Sequence, residues 1–200
     1  MSKLCHLFAN SYKGFQISKE NMLPPAQRKL FVEQYIQKYD FDIIVLLEMF
    51  DRSSIEHHFE YCYHDTSAGY YIASSFDICH IQNIERRGVR PILYFEIQNI
   101  PYLLTHIPPS QYCNRSLEEK YFLSHLYQQG DRSICLADFN VAPNHPFIQK
   151  HILSKGWKNA IFPTEVDYIL YKNHHEIEVN IHDFPSISDH PFFHFHLTDS

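Results

Sequence analysis

Eight side chains in this sequence are of the types that phosphate chemistry uses, and most of them stand where an apolar run stops. The block Ile134-Cys135-Leu136-Ala137 ends in Asp138, Phe139 and Asn140, and the five apolar residues Ile43 to Leu47 end in Glu48. Leu4 to Ala9 gives out at Asn10, and Leu103-Leu104-Thr105 at His106. Asp167 lies within the run Thr164 to Tyr171, while Asp189 and His190 belong to the polar stretch Pro185 to Pro191. Short apolar runs bounded by turn residues read as strands buried on both faces, so these strands deliver polar groups to their own ends. Alternation along an extended chain points Asp138 and Asn140 one way and Phe139 the other, which puts a carboxylate and a carboxamide in one small volume. An Asx turn closing the strand is the competing reading of the same residues. An acid enclosed in a strand, such as Asp167, needs a partner.

The set consists of hard oxygen donors and imidazoles. Oxygen ligands without cysteine favour magnesium or manganese over zinc. A phosphate, or a water activated beside one, is the ligand such groups suit, because the charge on phosphorus must be neutralised and a nucleophile deprotonated near neutral pH.

Positioning these groups takes strands with helices laid over them. After the first strand, Pro24-Pro25 opens a segment with Leu30, Phe31, Tyr35 and Tyr39 at helical spacing, and Gln27, Arg28, Lys29, Glu33, Gln34 and Lys38 at the remaining positions. An amphipathic helix is expected there, leading into the Ile43–Leu47 strand. Residues 69–74, 78–84, 91–97 and 100–107 form closely spaced strand-like runs, expected to be antiparallel neighbours. A second helix is expected from Ser116 as N-cap, with Glu119 three residues on, to about Gln129. A short helix over 146–153, core positions at Trp157 and Phe162, and strands over 164–171, 176–181 and 192–197 complete the reading. No internal repeat is visible.

Two hundred residues are enough for one domain, and 44% hydrophobic with 20% charged residues is the balance of a globular protein. The net charge of −6 argues against a broad basic surface for nucleic acid, an objection that a bound divalent cation weakens. No leader-like segment opens the chain, and no window approaches the ~18 apolar residues of a membrane helix, so a soluble, cytoplasmic chain without a membrane span is expected. Five scattered cysteines without a CxxC pair indicate neither a disulfide framework nor a zinc site. His57-His58, His174-His175 and His194/His196 could be metal sites, and the last pair shares one face of a strand. With no cysteine or acid at ligand spacing, packed or surface histidines are the favoured reading. Tyr12, Tyr70 and Tyr71 could stack on a base, with core packing as the default.

Taken in order, Leu136-Ala137-Asp138-Phe139-Asn140, Val166-Asp167-Tyr168-Ile169-Leu170 and Ser188-Asp189-His190 resemble the GDFN, IDYIL and SDH motifs of the endonuclease/exonuclease/phosphatase superfamily. Those metal-dependent phosphodiesterases include pancreatic-type deoxyribonuclease and abasic-site endonucleases. The resemblance runs from Asn10 to His190. It implies an α/β fold, a four-layer α/β/β/α sandwich with two packed mixed β-sheets. It also implies roles: Glu48 with Asn10 binds Mg²⁺ or Mn²⁺, Asp138 and Asn140 orient the attacking water and the scissile phosphate, and His106 contacts the phosphate. His190, held by Asp167, is then the catalytic imidazole, and Asp189 joins the metal or water network. The implied activity is hydrolysis of a phosphodiester, nucleic acid among the candidates, by activated water. The alternatives are a phosphatase for a small phosphorylated substrate, with Arg86, Arg87 or Arg90 as its cationic spot, and a non-catalytic binding module. The chain departs from the family pattern at Leu47, where glutamine is usual before the metal-binding acid, at Ala137 in place of glycine, and at Ser74-Ser75-Phe76, which lacks the usual basic residue. The short Asn140–Asp167 spacing implies trimmed recognition loops.

Overall fold

The computed structural model describes residues 3–11, 19–50, 55, 59–85, 89–161, 166–172 and 175–199. Two compact units emerge, one of residues up to Ile78 with Ile177–Asp199 and one of Cys79–Glu176. Each is built on a six-stranded mixed sheet.

The first unit contains β1 (Lys3–Asn10), α1 (Pro25–Lys38), β2 (Ile43–Leu47), β3 (Tyr61–Asp65) and β4 (Tyr70–Ser74). Most of β11 (His175–His182) and all of β12 (Phe192–Asp199) return to it, and the sheet order is β11-β12-β1-β2-β4-β3. β1 and β2 are parallel and joined through α1, the crossover that parallel strands require. Alternation along the strands sends Leu7, Ala9, Ile44, Leu46, Tyr71 and Ala73 into one cluster with Val32, Tyr35 and Ile36 of α1. The other sheet face, with Phe8, Val45, Ile72, Phe193 and Phe195, is buried as well, which accounts for unbroken apolar runs rather than polar alternation.

The second unit holds β5 (Cys79–Ile84), β6 (Ile92–Ile97), β7 (Ile100–His106), α2 (Arg115–Leu126), β8 (Ile134–Asp138), β9 (Lys158–Asn159) and β10 (Asp167–Tyr171), in the order β5-β6-β7-β8-β10-β9. Here too a parallel pair, β7 and β8, is joined by a helix, with antiparallel strands on either side. Leu103, Cys135, Ala137, Tyr168 and Leu170 pack with Tyr121, Phe122 and Leu126 of α2. The same strand order thus occurs twice, although the sequence shows no repeat.

Several expectations change. α1 turns Tyr35, with Phe31 and Tyr39 at its rim, to the core as expected, but Leu30 is 52% exposed, whereas Arg28, placed by spacing on the polar side, is completely buried. The cap of α2 is Asn114, whose side chain accepts from Leu117 N at 3.3 Å, so Ser116 lies inside the helix. Phe147–Ile152 winds as a π-helical stretch, continued by a 3₁₀ turn to Lys155. Asp167 opens its strand instead of lying within it, and β3 has no counterpart in the sequence reading. Tyr12, His57, His58, Arg86, Arg87, Phe162, Thr164 and His174 lie outside the described residues. Among the described residues no helix is long and apolar enough to cross a membrane.

Candidate functional site

In the second unit four of the expected residues are brought together. His106 ends β7, Asp138 ends β8 and Asp167 begins β10; His106 is the Cα partner of Asp138, and Asp138 of Asp167. Residues in register on neighbouring strands project from the same face, so the three side chains form a row, on the face away from α2. His106 Nε2 lies 3.6 Å from Asp138 Oδ2. Both carboxylates are 1% exposed and His106 is 4% exposed. Two buried acids side by side demand positive charge or a shared proton, since desolvation and mutual repulsion both oppose ionisation of the pair.

Asn140 joins the row by a different route from strand alternation. β8 stops at Asp138, and Asn140 adopts φ 50°, in the left-handed region that asparagine tolerates better than most residues. Its main-chain N–H donates to Asp138 Oδ1 at 2.9 Å, an Asx turn, and its Nδ2 donates to Ile107 O at 3.1 Å while lying 3.3 Å from His106 Nε2. The turn and the shared volume are therefore one feature. Phe139 turns inward as the anchor, its ring edge-on to Phe122 at 5.0 Å and to Phe147 at 5.2 Å. Tyr168 donates to Val141 O at 2.7 Å, tying down the chain after the turn. Burial, then the neighbouring Asp167 carboxylate, pushes this phenol well above its ordinary range, which keeps it a neutral donor.

In the first unit Asn10, Glu48, Asp189 and His190 occupy strand ends and the loop before β12. Asn10 is the Cα partner of Leu47, and Glu48 follows at once with φ 60°. Met49 N donates to Gly69 O at 2.9 Å, which fixes the chain just past Glu48. Ser188 is the residue that sequence reasoning underused. Its hydroxyl donates to Asn10 O at 2.8 Å and accepts from His190 N at 3.1 Å, so it fastens the loop to the end of β1. Buried Arg28 does the same from α1, donating from Nη2 to Ser11 O at 3.0 Å and from Nε to Ile187 O. No spacing rule would have found it, because its partners are main-chain carbonyls. Asp189 forms an ion pair with Lys19. Asn10 and Glu48 offer oxygen donors with no sulfur between them, a set that fits a hard divalent cation.

No family model and no curated protein matches the sequence. Solved structures do match. An endonuclease/exonuclease/phosphatase family protein from Leptotrichia buccalis superposes with a TM-score of 0.66 at 14% identity, covering 98% of this chain and 99% of that one. The fold is that of the endonuclease/exonuclease/phosphatase superfamily. Truncated Caenorhabditis elegans TDP2 gives a TM-score of 0.67 at 13% identity, covering 98% of this chain and 97% of that one. D. rerio TDP2 complexed with a single-strand DNA product gives 0.64 at 12%, covering 99% and 100%. The α/β class and the two mixed β-sheets that the motifs imply are thus observed.

Proposed function

We propose that this chain is a divalent-cation-dependent phosphodiesterase that hydrolyses nucleic acid. The observation that carries the reading is the buried row His106–Asp138–Asp167 with Asn140 fastened to it, because structural packing alone gives no reason to bury two acids in register. In this reading Glu48 and Asn10 hold Mg²⁺ or Mn²⁺, with Asp189 in the surrounding network. The cation supplies positive charge against the charge that builds on the phosphate oxygens in the transition state. Asp138 takes the proton of the attacking water, and the Asn140 amide directs the water and the phosphate. His106 donates to a phosphate oxygen. His190 is assigned the general acid–base role, and Asp167 serves as a second carboxylate that keeps a proton in place. A single-strand DNA product bound to a protein of the same fold supports a nucleic acid as substrate.

The test is incubation with a bis-aryl phosphodiester and with single- and double-stranded DNA and RNA, in Mg²⁺, Mn²⁺ or EDTA. Cleavage that EDTA abolishes is expected; undiminished turnover in EDTA overturns the mechanism. Phosphate release from small monoesters without polymer cleavage would transfer the site to the phosphatase reading. Substrate binding without turnover in any metal would mark a binding module.

A further inference from the structure

A second cluster of ligand-type side chains lies in the first unit, on the α1 face of its sheet and toward the other end of β1 from Asn10. Cys5 is the Cα partner of His196, and His194, two residues earlier on β12, shares that face. Cys5 Sγ lies 3.2 Å from His194 Nε2, and ligand atoms of Cys5, His194 and His196 all fall within 4.8 Å of one another. His196 Nδ1 is shielded from solvent with no hydrogen-bond partner among the described residues. A buried ring nitrogen left in that state is unfavourable, so the fold gains when something fills it.

We propose that Cys5, His194 and His196 form a transition-metal site for which Zn²⁺ is the fitting ion, separate from the hard-cation site of the proposed hydrolysis. One thiolate and two imidazoles are a borderline-soft set that prefers zinc to magnesium. With Zn–S of about 2.3 Å and Zn–N of about 2.0–2.1 Å, tetrahedral geometry separates sulfur from nitrogen by roughly 3.6 Å, so the His194 ring needs to withdraw by only a few tenths of an ångström. Three protein ligands leave one position open. Beside the site, His182, whose ring stacks on that of His194 at 6.2 Å between centroids, lines a cavity of about 360 Å³ with Phe31, Tyr35, Lys38 and Phe184.

The surroundings hold the ligands as outer-sphere groups do in metal sites. Asp42 Oδ2 accepts from Cys5 N at 2.8 Å, and the rings of Tyr39 and Phe41 set edge-on against His194 at 5.3 and 4.9 Å. Burial, then Asp42, raises the Cys5 thiol to about 11; coordination breaks the S–H bond, and its proton leaves to solvent as the S–metal bond forms.

Titration of chelator-stripped protein with Co²⁺ tests this. One equivalent is expected to produce tetrahedral d–d bands and a thiolate-to-cobalt charge-transfer band, all displaced by Zn²⁺. Cys5→Ser should abolish the charge-transfer band and His196→Ala should weaken binding at least ~10-fold, while Glu48→Gln keeps both, which separates this site from the hydrolytic one. Absence of the charge-transfer band, or equal binding by Cys5→Ser, overturns the proposal. A readout without variants is the alkylation rate of Cys5, followed by peptide mapping in the wild-type chain. Zn²⁺ should slow it, and an unchanged rate with Zn²⁺ overturns the proposal equally.

Discussion

At the scale of single residues, the two strand-end sets divide their work in a way that variants can separate. Glu48→Gln keeps the shape of the side chain and removes the charge a cation needs, so its Mg²⁺ affinity should fall while saturating Mg²⁺ restores part of the rate. His190→Ala should bind Mg²⁺ as the wild type does and lose roughly 100- to 10,000-fold in kcat, the usual worth of a general acid–base. Calorimetric Mg²⁺ titration beside steady-state kinetics reads both; equal loss of metal in the two variants contradicts the assigned roles. The individual residues were the most legible part of the site. An apolar run that stops at an ionisable side chain is visible in one dimension, and Asp138, Glu48 and His106 all sit where such runs end. The Cys5–His194 contact was not legible, because its members are 189 residues apart and only strand pairing brings them together.

At the scale of elements, α1 and α2 test the difference between pattern and packing. Spacing read α1 as a helix and placed Phe31, Tyr35 and Tyr39 against the core correctly but misplaced Leu30 and Arg28, since a guanidinium donating to two carbonyls can be buried more completely than a leucine. Arg28→Ala would leave those carbonyls unsatisfied and the loops after β1 and before His190 without their brace. A loss of about 2–4 kcal/mol in urea unfolding is expected. Arg28→Lys should recover only part of it, because an ammonium lacks the planar fork that reaches both acceptors. In α2, Asn114→Ala should cost about 1 kcal/mol and Ser116→Ala nearly nothing, the reverse of what the Ser-x-x-Glu pattern would lead one to expect. Thermal melts of the two variants distinguish the caps. The capping-box pattern misled because a competing asparagine stood two residues upstream, and only backbone geometry decides between them.

For the whole molecule, the buried tyrosines set the alkaline limit of stability. Tyr35, Tyr71, Tyr102 and Tyr168 are all pushed above the ordinary phenol range, chiefly by burial. A folded-state pKa raised above the unfolded value contributes stability in full below the unfolded value, and that stability is lost as pH rises toward the folded one. Loss of stability should therefore set in as pH passes ~10, the unfolded tyrosine value. Phenolate absorbance of these tyrosines should appear together with the unfolding signal by circular dichroism; titration of all tyrosines before any unfolding would contradict it. The arrangement of the sheets was half legible. Strand positions and the helix crossovers followed from apolar runs, but pairing across the chain, which sets β12 beside β1, leaves no local mark.

That pairing has a consequence for a chain emerging from the ribosome. Residues 79–176 contain every strand of their own sheet and can close as soon as they clear the exit tunnel, whereas β1 keeps one edge unpaired until residues 192–199 arrive. Once residues up to 176 have emerged, the nascent chain carries a finished second sheet and a first sheet with an open, apolar edge, the kind of edge to which other chains add. The time residues 192–199 take to follow thus sets how long that edge of β1 stays open.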